Sequence, residues 1–313
     1  MRIAVLDDYQ QAAESLADWA ALDADTRFFA HHIADPDQLV AELSGFDVVV
    51  AMRERTPFPH PVLEQLGDLR LLVTTGRRNA AIDTAAAADL GIVVSGTESL
   101  PHPAAELTMA LLLALARNLP DEVESVRRGG WQLGVGRDLA GSTLGIVGLG
   151  RLGSRVARLA GAFEMNLIAW SHNLTPDRAA EVGVTAVSKP ELFQRADFVT
   201  IHLRLSDRTQ GLVGQTELEM MQPGAFLINT SRGPIVDESA LLEAVRHGRI
   251  AGAGVDVFDQ EPLPADHPFR SEPRILTTPH VGYVTEDNYR TYYEGAVAAI
   301  EAWRRGEPIN TLT

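Results

Sequence analysis

Short apolar runs alternate with helical stretches along the whole chain. In the N-terminal part the predicted strands are Arg2–Leu6, Asp47–Met52, Leu69–Thr74 and Ile92–Val94, and the predicted helices are Gln10–Ala21, Pro36–Leu43 and Ile82–Asp89. Parallel neighbouring strands need a long crossover between them, usually a helix. The alternation therefore predicts parallel sheets with right-handed crossovers.

The same alternation begins again after a long helix, Pro103–Arg117, and a glycine-rich connection, Gly129–Gly136. The second series has predicted strands at Leu144–Val147, Leu167–Trp170, Phe198–His202, Phe226–Asn229, Gly252–Val257 and Ile275–Thr277, and predicted helices at Pro190–Arg195, Glu238–His247 and Glu286–Arg305. The pattern indicates two α/β units of about 100 and about 180 residues, which agrees with the usual size of domains. The last helix could pack on either unit.

Charge and cysteine content exclude several classes of function. Asp and Glu number 42 against 27 Lys and Arg, which gives a formal net charge of −15. Because polyanions are repelled by such a chain, we expect no nucleic-acid partner and no membrane partner. The chain has no cysteine, so disulfides, thiolate nucleophiles and Cys-ligated metals are excluded. We expect no metal site.

The N-terminal segment does not have the pattern of a signal peptide, because acids follow directly after its short apolar run. No apolar stretch approaches the roughly 18 residues that a membrane-spanning helix needs. We therefore expect a cytoplasmic protein.

A glycine fingerprint follows the predicted strand Leu144–Val147. Gly148, Gly150 and Gly153 have the spacing G-x-G-x-x-G directly before an amphipathic helix. In this motif the first glycine permits a tight turn, the second lets the backbone approach a pyrophosphate, and the third lets helix and strand pack closely. The N–H groups of Arg151 and Leu152 would then face the anion. The fingerprint predicts dinucleotide binding, and the alternative is a glycine-rich turn without a ligand.

The end of the next strand bears on the choice between NAD and NADP. An acidic residue is expected there, about 20 residues past the glycines, to bind the ribose hydroxyls. Ser171 occupies that place and His172 follows it. No carboxylate at this place repels the 2′-phosphate of NADP. The nearby cationic residues that could bind this phosphate are His172 and Arg178. The cofactor preference therefore stays open, as does the alternative that these are ordinary loop residues.

Polar residues follow three more predicted strands of the second series. Arg232 comes after Phe226–Asn229, Asp256 and Glu261 come with or after Gly252–Val257, and His280 comes after Ile275–Thr277. In open α/β sheets the ligand crevice lies outside the carboxyl ends of the strands. We therefore expect Arg232, Glu261 and His280 to converge beside the dinucleotide.

Four ordered motifs resemble the D-isomer-specific 2-hydroxyacid dehydrogenase family, which includes enzymes like phosphoglycerate dehydrogenase and glyoxylate/hydroxypyruvate reductase. They are Gly148-Leu-Gly-Arg-Leu-Gly153, Asn229-Thr-Ser-Arg-Gly233, Asp256-Val-Phe-Asp-Gln-Glu-Pro262 and Thr278-Pro-His280. The resemblance covers essentially the whole chain. It implies two Rossmann-like or flavodoxin-like doubly wound domains with a cleft between them. Residues 1–99 plus 285–313 would form the substrate domain, and residues 100–284 the NAD(P)-binding domain.

The resemblance also implies a reaction, which is hydride transfer between NAD(P) and a D-2-hydroxy acid or 2-keto acid. Arg232 would bind the substrate carboxylate and polarise its keto oxygen. His280 would be the acid/base, and Glu261 would fix its tautomer and favour its protonated form. Asp256 would lie near the nicotinamide amide, and Thr230 and Gly282 would join the cofactor-binding residues. A homodimer packed through the cofactor domains is also implied.

A loop of the first unit resembles the family segment whose amides bind the substrate carboxylate, but it departs from that pattern. Gly76 is followed by Arg77 and Arg78, and the loop is about two residues longer than the family pattern. We hypothesise that Arg77, Arg78 or Arg53 contacts a second anionic group on the substrate. The alternative is that these arginines are solvated. Arg204 also departs from the family, which more often has proline there.

Two other functions are compatible with this fold. The first is an NAD(H)-sensing protein, similar to the corepressors related to this family. It would bind the dinucleotide and a partner protein, and its function would not depend on catalytic turnover. Formate oxidation is hydride chemistry within the family, but it would not need His280 to protonate a carbonyl. The presence of Arg232, Glu261 and His280 favours the hydroxyacid dehydrogenase.

Overall fold

The structure is a computed structural model that describes residues 1–312. Its strands are β1 (Arg2–Val5), β2 (Asp25–Phe28), β3 (Val48–Ala51), β4 (Leu71–Thr74), β5 (Val93–Gly96), β6 (Thr143–Val147), β7 (Asn166–Trp170), β8 (Thr185–Ala186), β9 (Phe198–Ile201), β10 (Phe226–Asn229), β11 (Gly252–Val255) and β12 (Ile275–Thr277). Its α-helices are α1 (Ala13–Leu16), α2 (Pro36–Leu43), α3 (His60–Leu63), α4 (Thr84–Asp89), α5 (Pro103–Ala116), α6 (Leu119–Arg127), α7 (Arg151–Ala162), α8 (Pro176–Ala180), α9 (Lys189–Arg195), α10 (Gln215–Met220), α11 (Glu238–Arg246) and α12 (Glu286–Arg304).

The chain forms two compact units, each built on one parallel sheet. The first comprises Met1–Leu100 and the segment that begins at Val284, and the second comprises Pro101–Tyr283. The predicted fold class, two parallel-sheet α/β domains, is confirmed. Thr313, the last residue of the predicted substrate domain, lies outside the described residues.

The sheet of the first unit has the order β2-β1-β3-β4-β5, which is the flavodoxin-like order with its switch point between β1 and β3. Every residue of β3 and β4 is buried, as expected for parallel strands covered on both faces. Helix α12 packs on this unit and contributes the buried rings of Tyr292 and Tyr293. The ring of Tyr293 meets that of Trp19 with centroids 6.1 Å apart.

The sheet of the second unit has the order β12-β11-β10-β9-β6-β7-β8, which is the doubly wound order of dinucleotide-binding folds. Its switch point lies between β6 and β9. Small residues in β11 let the apolar helix α5 approach the sheet, because a Cβ at Gly254 would lie 3.3 Å from Cβ of Leu111. No helix among residues 1–312 is long and apolar enough to cross a membrane.

The predicted helix Gln10–Ala21 is wrong as one element. The Asp8 carboxylate accepts hydrogen bonds from the N–H groups of Ala12 and Ala13, so α1 begins only at Ala13. Ala17 is extended, and Asp18 caps a separate 3-10 turn, Trp19–Leu22. Two competing capping carboxylates thus divide a stretch with helical periodicity.

The sequence analysis also missed the short elements β8, α3, α8 and α10 and, among the others, β2 and α6. Strand β2 is only partly covered, and α6 has no buried residue. Strand β2 therefore lacks the apolar pattern on which the predictions depend, whereas α6 has Leu119, Val123 and Val126 at helical spacing, and the predictions overlooked it.

Candidate active site

The glycine loop follows β6 at the switch point of the second sheet. Gly148 has φ +102, and a Cβ there would lie 2.7 Å from the carbonyl oxygen of His202, just past β9. A Cβ on Gly153 would lie 2.1 Å from the carbonyl oxygen of Gly148. These two glycines are therefore required by packing, whereas a Cβ on Gly150 would meet no atom within 4 Å.

The backbone at Gly150 is open and fits a bound anion. Gly150 is the N-cap of α7 and supplies no side-chain cap, so the first N–H groups of the helix, including those of Arg151 and Leu152, have no capping side chain. Such N–H groups together with the positive end of the helix dipole bind phosphate. This cradle fits the pyrophosphate of a dinucleotide.

Ser171 and His172 lie just past the end of β7, beside the glycine loop. Ser171 is half-buried, and the exposed ring of His172 packs on Trp170 with centroids 4.9 Å apart. No carboxylate follows β7 directly. Thr230 lies past β10, and its buried Oγ1 is hydrogen-bonded to Oγ1 of Thr108 on α5 at 2.8 Å.

A tight turn after β10 carries Arg232. The Asn229 side chain closes this turn, because its Oδ1 accepts from Ser231 N at 3.0 Å and its Nδ2 donates to Arg232 O at 3.0 Å. Ser231 Oγ donates to the carbonyl of Ile201 at the end of β9. The half-buried Arg232 side chain is thereby carried on a loop fixed to two neighbouring strands.

His280 and Glu261 are in direct contact. The distance from His280 Nδ1 to Glu261 Oε2 is 2.5 Å, and the two side chains are 19% and 29% exposed. Glu261 Oε1 accepts from Phe258 N at 2.9 Å, so both carboxylate oxygens are engaged. With Nδ1 directed to Glu261, Nε2 is the nitrogen left for proton exchange with a substrate.

Asp256 holds the turn that carries His280. Its buried carboxylate accepts from Thr278 Oγ1 at 2.6 Å, from Val281 N at 2.8 Å and from Gly282 N at 2.9 Å. Burial raises the pKa of Asp256 above its ordinary value, although these donors and the nearby His280 act in the opposite direction. His280 itself has φ +52, a left-handed backbone that these three bonds help to maintain.

The structure brings the loops of Arg232, Glu261 and His280 together. A Cβ on Gly233 would lie 2.1 Å from the carbonyl carbon of Phe258, so the arginine loop and the Glu261 loop touch through their backbones. The Glu261–His280 contact joins the second loop to the third. Within the described residues, no group of three His, Asp or Glu side chains could hold a metal ion.

The predicted substrate residues of the first unit lie past β3 and β4. Arg53 N donates to Thr75 Oγ1 at 2.8 Å, and a Cβ on Gly76 would collide with the Arg53 guanidinium, so these two residues pack together. Arg77 is paired with Glu98, and the hydrogen bond that Arg77 donates to the Glu98 carboxylate raises the pKa of Arg77. Arg78 is exposed.

Sequence reasoning missed Tyr283 and Glu238. The Tyr283 ring packs edge-on against His280 with centroids 5.2 Å apart, and its position shortly after His280 was the available signal. Glu238 Oε1 accepts from Asp259 N, two residues before Glu261 in the chain. An acid in the first turn of a helix looks like ordinary capping, so nothing in the sequence singled it out.

Comparisons with known proteins give one consistent family. A family model described as "D-isomer specific 2-hydroxyacid dehydrogenase, NAD binding domain" matches residues 109–282. A D-3-phosphoglycerate dehydrogenase of Methanocaldococcus jannaschii is 36% identical over 87% of this chain, and the match spans 52% of that protein. The chain thus spans about half the length of the first curated relatives it matches.

Two further proteins match over most of their own length. A glyoxylate reductase of Korarchaeum cryptofilum is 35% identical over 86% of this chain and 83% of its own. A crystal structure named phosphoglycerate oxidoreductase, from Vibrio cholerae, has a TM-score of 0.94 and 35% identity, and it covers 98% of this chain and 99% of its own. The resemblance inferred from the four motifs is thereby confirmed, and the chain belongs to the D-isomer specific 2-hydroxyacid dehydrogenase family.

Proposed function

We propose that this protein is an NAD(H)-dependent oxidoreductase that interconverts D-2-hydroxy acids and 2-keto acids. The observation that carries the proposal is the 2.5 Å contact between Glu261 Oε2 and His280 Nδ1. This pair lies at the same edge of the sheet as Arg232 and the glycine loop. The names of the relatives, D-3-phosphoglycerate dehydrogenase and glyoxylate reductase, support the same class of substrate.

Arg232, His280 and Glu261 each have one task in this reaction. When bound, the nicotinamide supplies or accepts the hydride. The forked guanidinium of Arg232 binds the substrate carboxylate and polarises the keto oxygen. His280 Nε2 gives a proton to that oxygen in reduction and takes one from the hydroxyl in oxidation. Glu261 accepts from Nδ1–H, which fixes the tautomer and stabilises the imidazolium.

The second unit would hold the cofactor. Gly148, Gly150 and Gly153, with the N–H groups of Arg151 and Leu152, would hold the pyrophosphate. Ser171 and His172 would contact the adenosine ribose, and Thr230, Asp256 and Gly282 would lie towards the nicotinamide. No carboxylate directly after β7 repels a 2′-phosphate, so NADPH is a second candidate cofactor alongside NADH.

We assign substrate recognition to the first unit and cofactor binding to the second, with residues 1–99 plus 285–313 and 100–284 as the respective domains. Arg53 and Gly76 support this assignment, because they pack together and place the positive charge of Arg53 at the carboxyl ends of β3 and β4. Arg77 is already neutralised by Glu98. Arg78 is therefore the better candidate for binding a second anionic group on the substrate.

We further propose a homodimer formed through an apolar surface on the second unit. Four apolar side chains are strongly exposed there, with exposed fractions of 58%, 74%, 61% and 103% for Val126, Trp131, Leu133 and Val135. The Glu122 carboxylate accepts from the N–H groups of Leu133 and Gly134, so the segment is held in place although it is exposed. Clusters of exposed apolar side chains mark interfaces. Light scattering that gives the mass of one chain would contradict the dimer.

A cytoplasmic location also belongs to the proposal. NAD(H) and 2-keto acids are intracellular metabolites, which supports it, and cell fractionation tests it. The alternative of a sensor protein is not favoured, because the relatives are named as dehydrogenases and reductases.

The experiment that tests the activity measures NADH and NADPH oxidation at 340 nm with a panel of mono- and dicarboxylate 2-keto acids. We expect turnover of at least one acid and a product of D configuration. Binding of NADH without turnover of any acid would favour the sensor function instead.

Replacing Arg78 by Ala tests the second-anion hypothesis. Loss of one charge-assisted hydrogen bond costs about 1.5–3 kcal/mol, so KM for doubly charged acids should rise by roughly 10-fold or more while KM for monocarboxylates changes little. Equal effects on both classes of acid, or no effect, would end the hypothesis.

Two glycines of helix α7 offer a matched pair of substitutions. Gly153→Ala places a Cβ 2.1 Å from the Gly148 carbonyl oxygen, so the loop must shift and NADH binding should weaken by about 10-fold or more. Gly161→Ala meets only Leu167 Cδ1, at 3.8 Å. It should leave NADH affinity unchanged and raise the free energy of unfolding by about 0.5–1 kcal/mol. Fluorescence titration and urea unfolding measure both effects, and wild-type affinity in Gly153→Ala would contradict the role of the loop.

Glu261→Gln removes the charge beside His280 but keeps an oxygen that can accept from Nδ1–H. Reduction uses the imidazolium of His280 as the proton donor, and the neighbouring negative charge is lost in the variant. We therefore expect kcat/KM for keto-acid reduction to fall by about 10–100-fold. Glu219→Gln, an exposed site on α10, is the control. Wild-type kcat/KM in Glu261→Gln would exclude Glu261 from this role.

A further inference from the structure

The segment Asp256–Pro262, which we call the acid loop, carries Glu261 and must hold its carboxylate against His280. Two contacts position the middle of this loop. Phe258 rests on the backbone of Gly233, where a Cβ would lie 2.1 Å from the Phe258 carbonyl carbon. Asp259 N donates to Glu238 Oε1 at 3.0 Å. The second contact comes from a side chain to which the reaction described above gives no task.

Glu238 is itself fixed to the protein core through His267. Glu238 Oε2 lies 3.2 Å from His267 Nε2, and both side chains are only 18% exposed. His267 Nδ1 accepts from Phe269 N at 3.3 Å, so the proton of the neutral imidazole is on Nε2 and is donated to Glu238. The Phe269 ring is buried and packs edge-on against His267 with centroids 4.9 Å apart.

The charges around Glu238 show that this arrangement has a cost. His267 is in contact with Glu238, and Asp259 lies close enough for the two negative charges to interact. Burial, then Glu238, then Asp237 raise the pKa of Asp259, while His267 acts in the opposite direction. Like charges in this proximity repel. The carboxylate of Glu238 is nevertheless held where it meets the Asp259 N–H group.

Glu238 also follows the arginine loop directly in the chain. The segment from Arg232 passes through a 3-10 turn, Gly233–Ile235, to Asp237, which caps α11, and then to Glu238. The same short stretch therefore touches the acid loop twice, through Gly233 and through Glu238. A shift of the acid loop relative to Arg232 would have to break both contacts.

We propose that Glu238, clamped by His267, is a positioning residue that aims Glu261 at His280. This inference rests on the proposed function for its kinetic consequence but not for its structural one. Glu238 holds the Asp259 N–H group, and Phe258 N donates to Glu261 Oε1. The other carboxylate oxygen of Glu261, Oε2, is then free to accept from His280 Nδ1 at 2.5 Å. Without Glu238 the loop is released on one side, and His280 loses the acceptor that fixes its tautomer.

The tautomer of His280 tests this directly. In protein labelled with ¹⁵N-histidine and saturated with NADH, two-bond ¹H–¹⁵N spectra report which ring nitrogen carries the proton, and His280→Gln assigns the signal. We expect Nδ1–H in the wild type and a shift towards Nε2–H in Glu238→Ala. In the same variant kcat for keto-acid reduction should fall about 10–100-fold, as small displacements of catalytic groups do, with NADH affinity within about twofold of wild type.

Two variants control for a general loss of stability. Glu238→Gln keeps an oxygen for Asp259 N but places an amide N–H opposite His267 Nε2–H, so it should recover the wild-type tautomer and kcat in part. It also serves if Glu238→Ala does not fold. Glu243 lies on the same helix, and its carboxylate is an exposed partner of His247 at 3.3 Å. Glu243→Ala therefore removes a comparable Glu–His contact away from the acid loop, and it should change neither the tautomer nor kcat. Wild-type tautomer and kcat in Glu238→Ala with a lower melting temperature would overturn the inference. Should the wild type turn over no keto acid, the proposed function fails, and the tautomer still decides the role of Glu238.

Discussion

Parallel pairing at the carboxyl edge of the seven-stranded sheet decides where the residues of the candidate site lie. Asn229, Val255 and Thr277 are aligned across β10, β11 and β12, so the three loops that follow these strands leave the sheet side by side. The glycine loop leaves from the same edge after β6, next to β9. Because crossover helices return every strand in the same direction, residues distant in sequence meet at one edge.

Several carboxylates near this edge accept hydrogen bonds from backbone N–H groups of the loops. Asp256 accepts from Val281 N and Gly282 N, Glu261 from Phe258 N, and Glu238 from Asp259 N. Each of these bonds orders a loop and neutralises part of a negative charge by charge-assisted hydrogen bonding. The formal net charge of −15 is therefore compatible with the proposed binding of an anionic substrate. The cations Arg232 and Arg53 lie at strand ends, while many of the acids are on exposed faces.

Much of the fold could be predicted from the sequence because its strands are buried on both faces. The predicted bounds of β10 and β12 match the structure, as does helix α2, since each is a continuous apolar or amphipathic segment between clear breaks. The prediction of a single helix over Gln10–Ala21 was wrong because Asp8 and Asp18 cap two separate helical turns in this stretch. Helix α6 was overlooked although Leu119, Val123 and Val126 recur at helical spacing, and the structure leaves all three side chains exposed.

The candidate site could be predicted only as far as its residue types allowed. Order along the chain placed Arg232, Glu261 and His280 at neighbouring strand ends, and the contact of Glu261 with His280 follows that expectation. The role of Asp256 in holding the His280 turn depends on side-chain direction, which strand order does not specify. Glu238 and His267 depend on a tertiary contact between a helix start and a loop, and no motif spacing encodes that.

The central claim is that His280, held by Glu261, transfers the proton while the dinucleotide binds elsewhere on the same edge. Single-turnover reduction of a 2-keto acid by His280→Gln loaded with NADH tests it most directly. The account predicts NADH affinity within about twofold of wild type and a hydride-transfer rate lower by about 10²–10⁴-fold. A variant that reduces the keto acid at the wild-type rate with full NADH occupancy would contradict it.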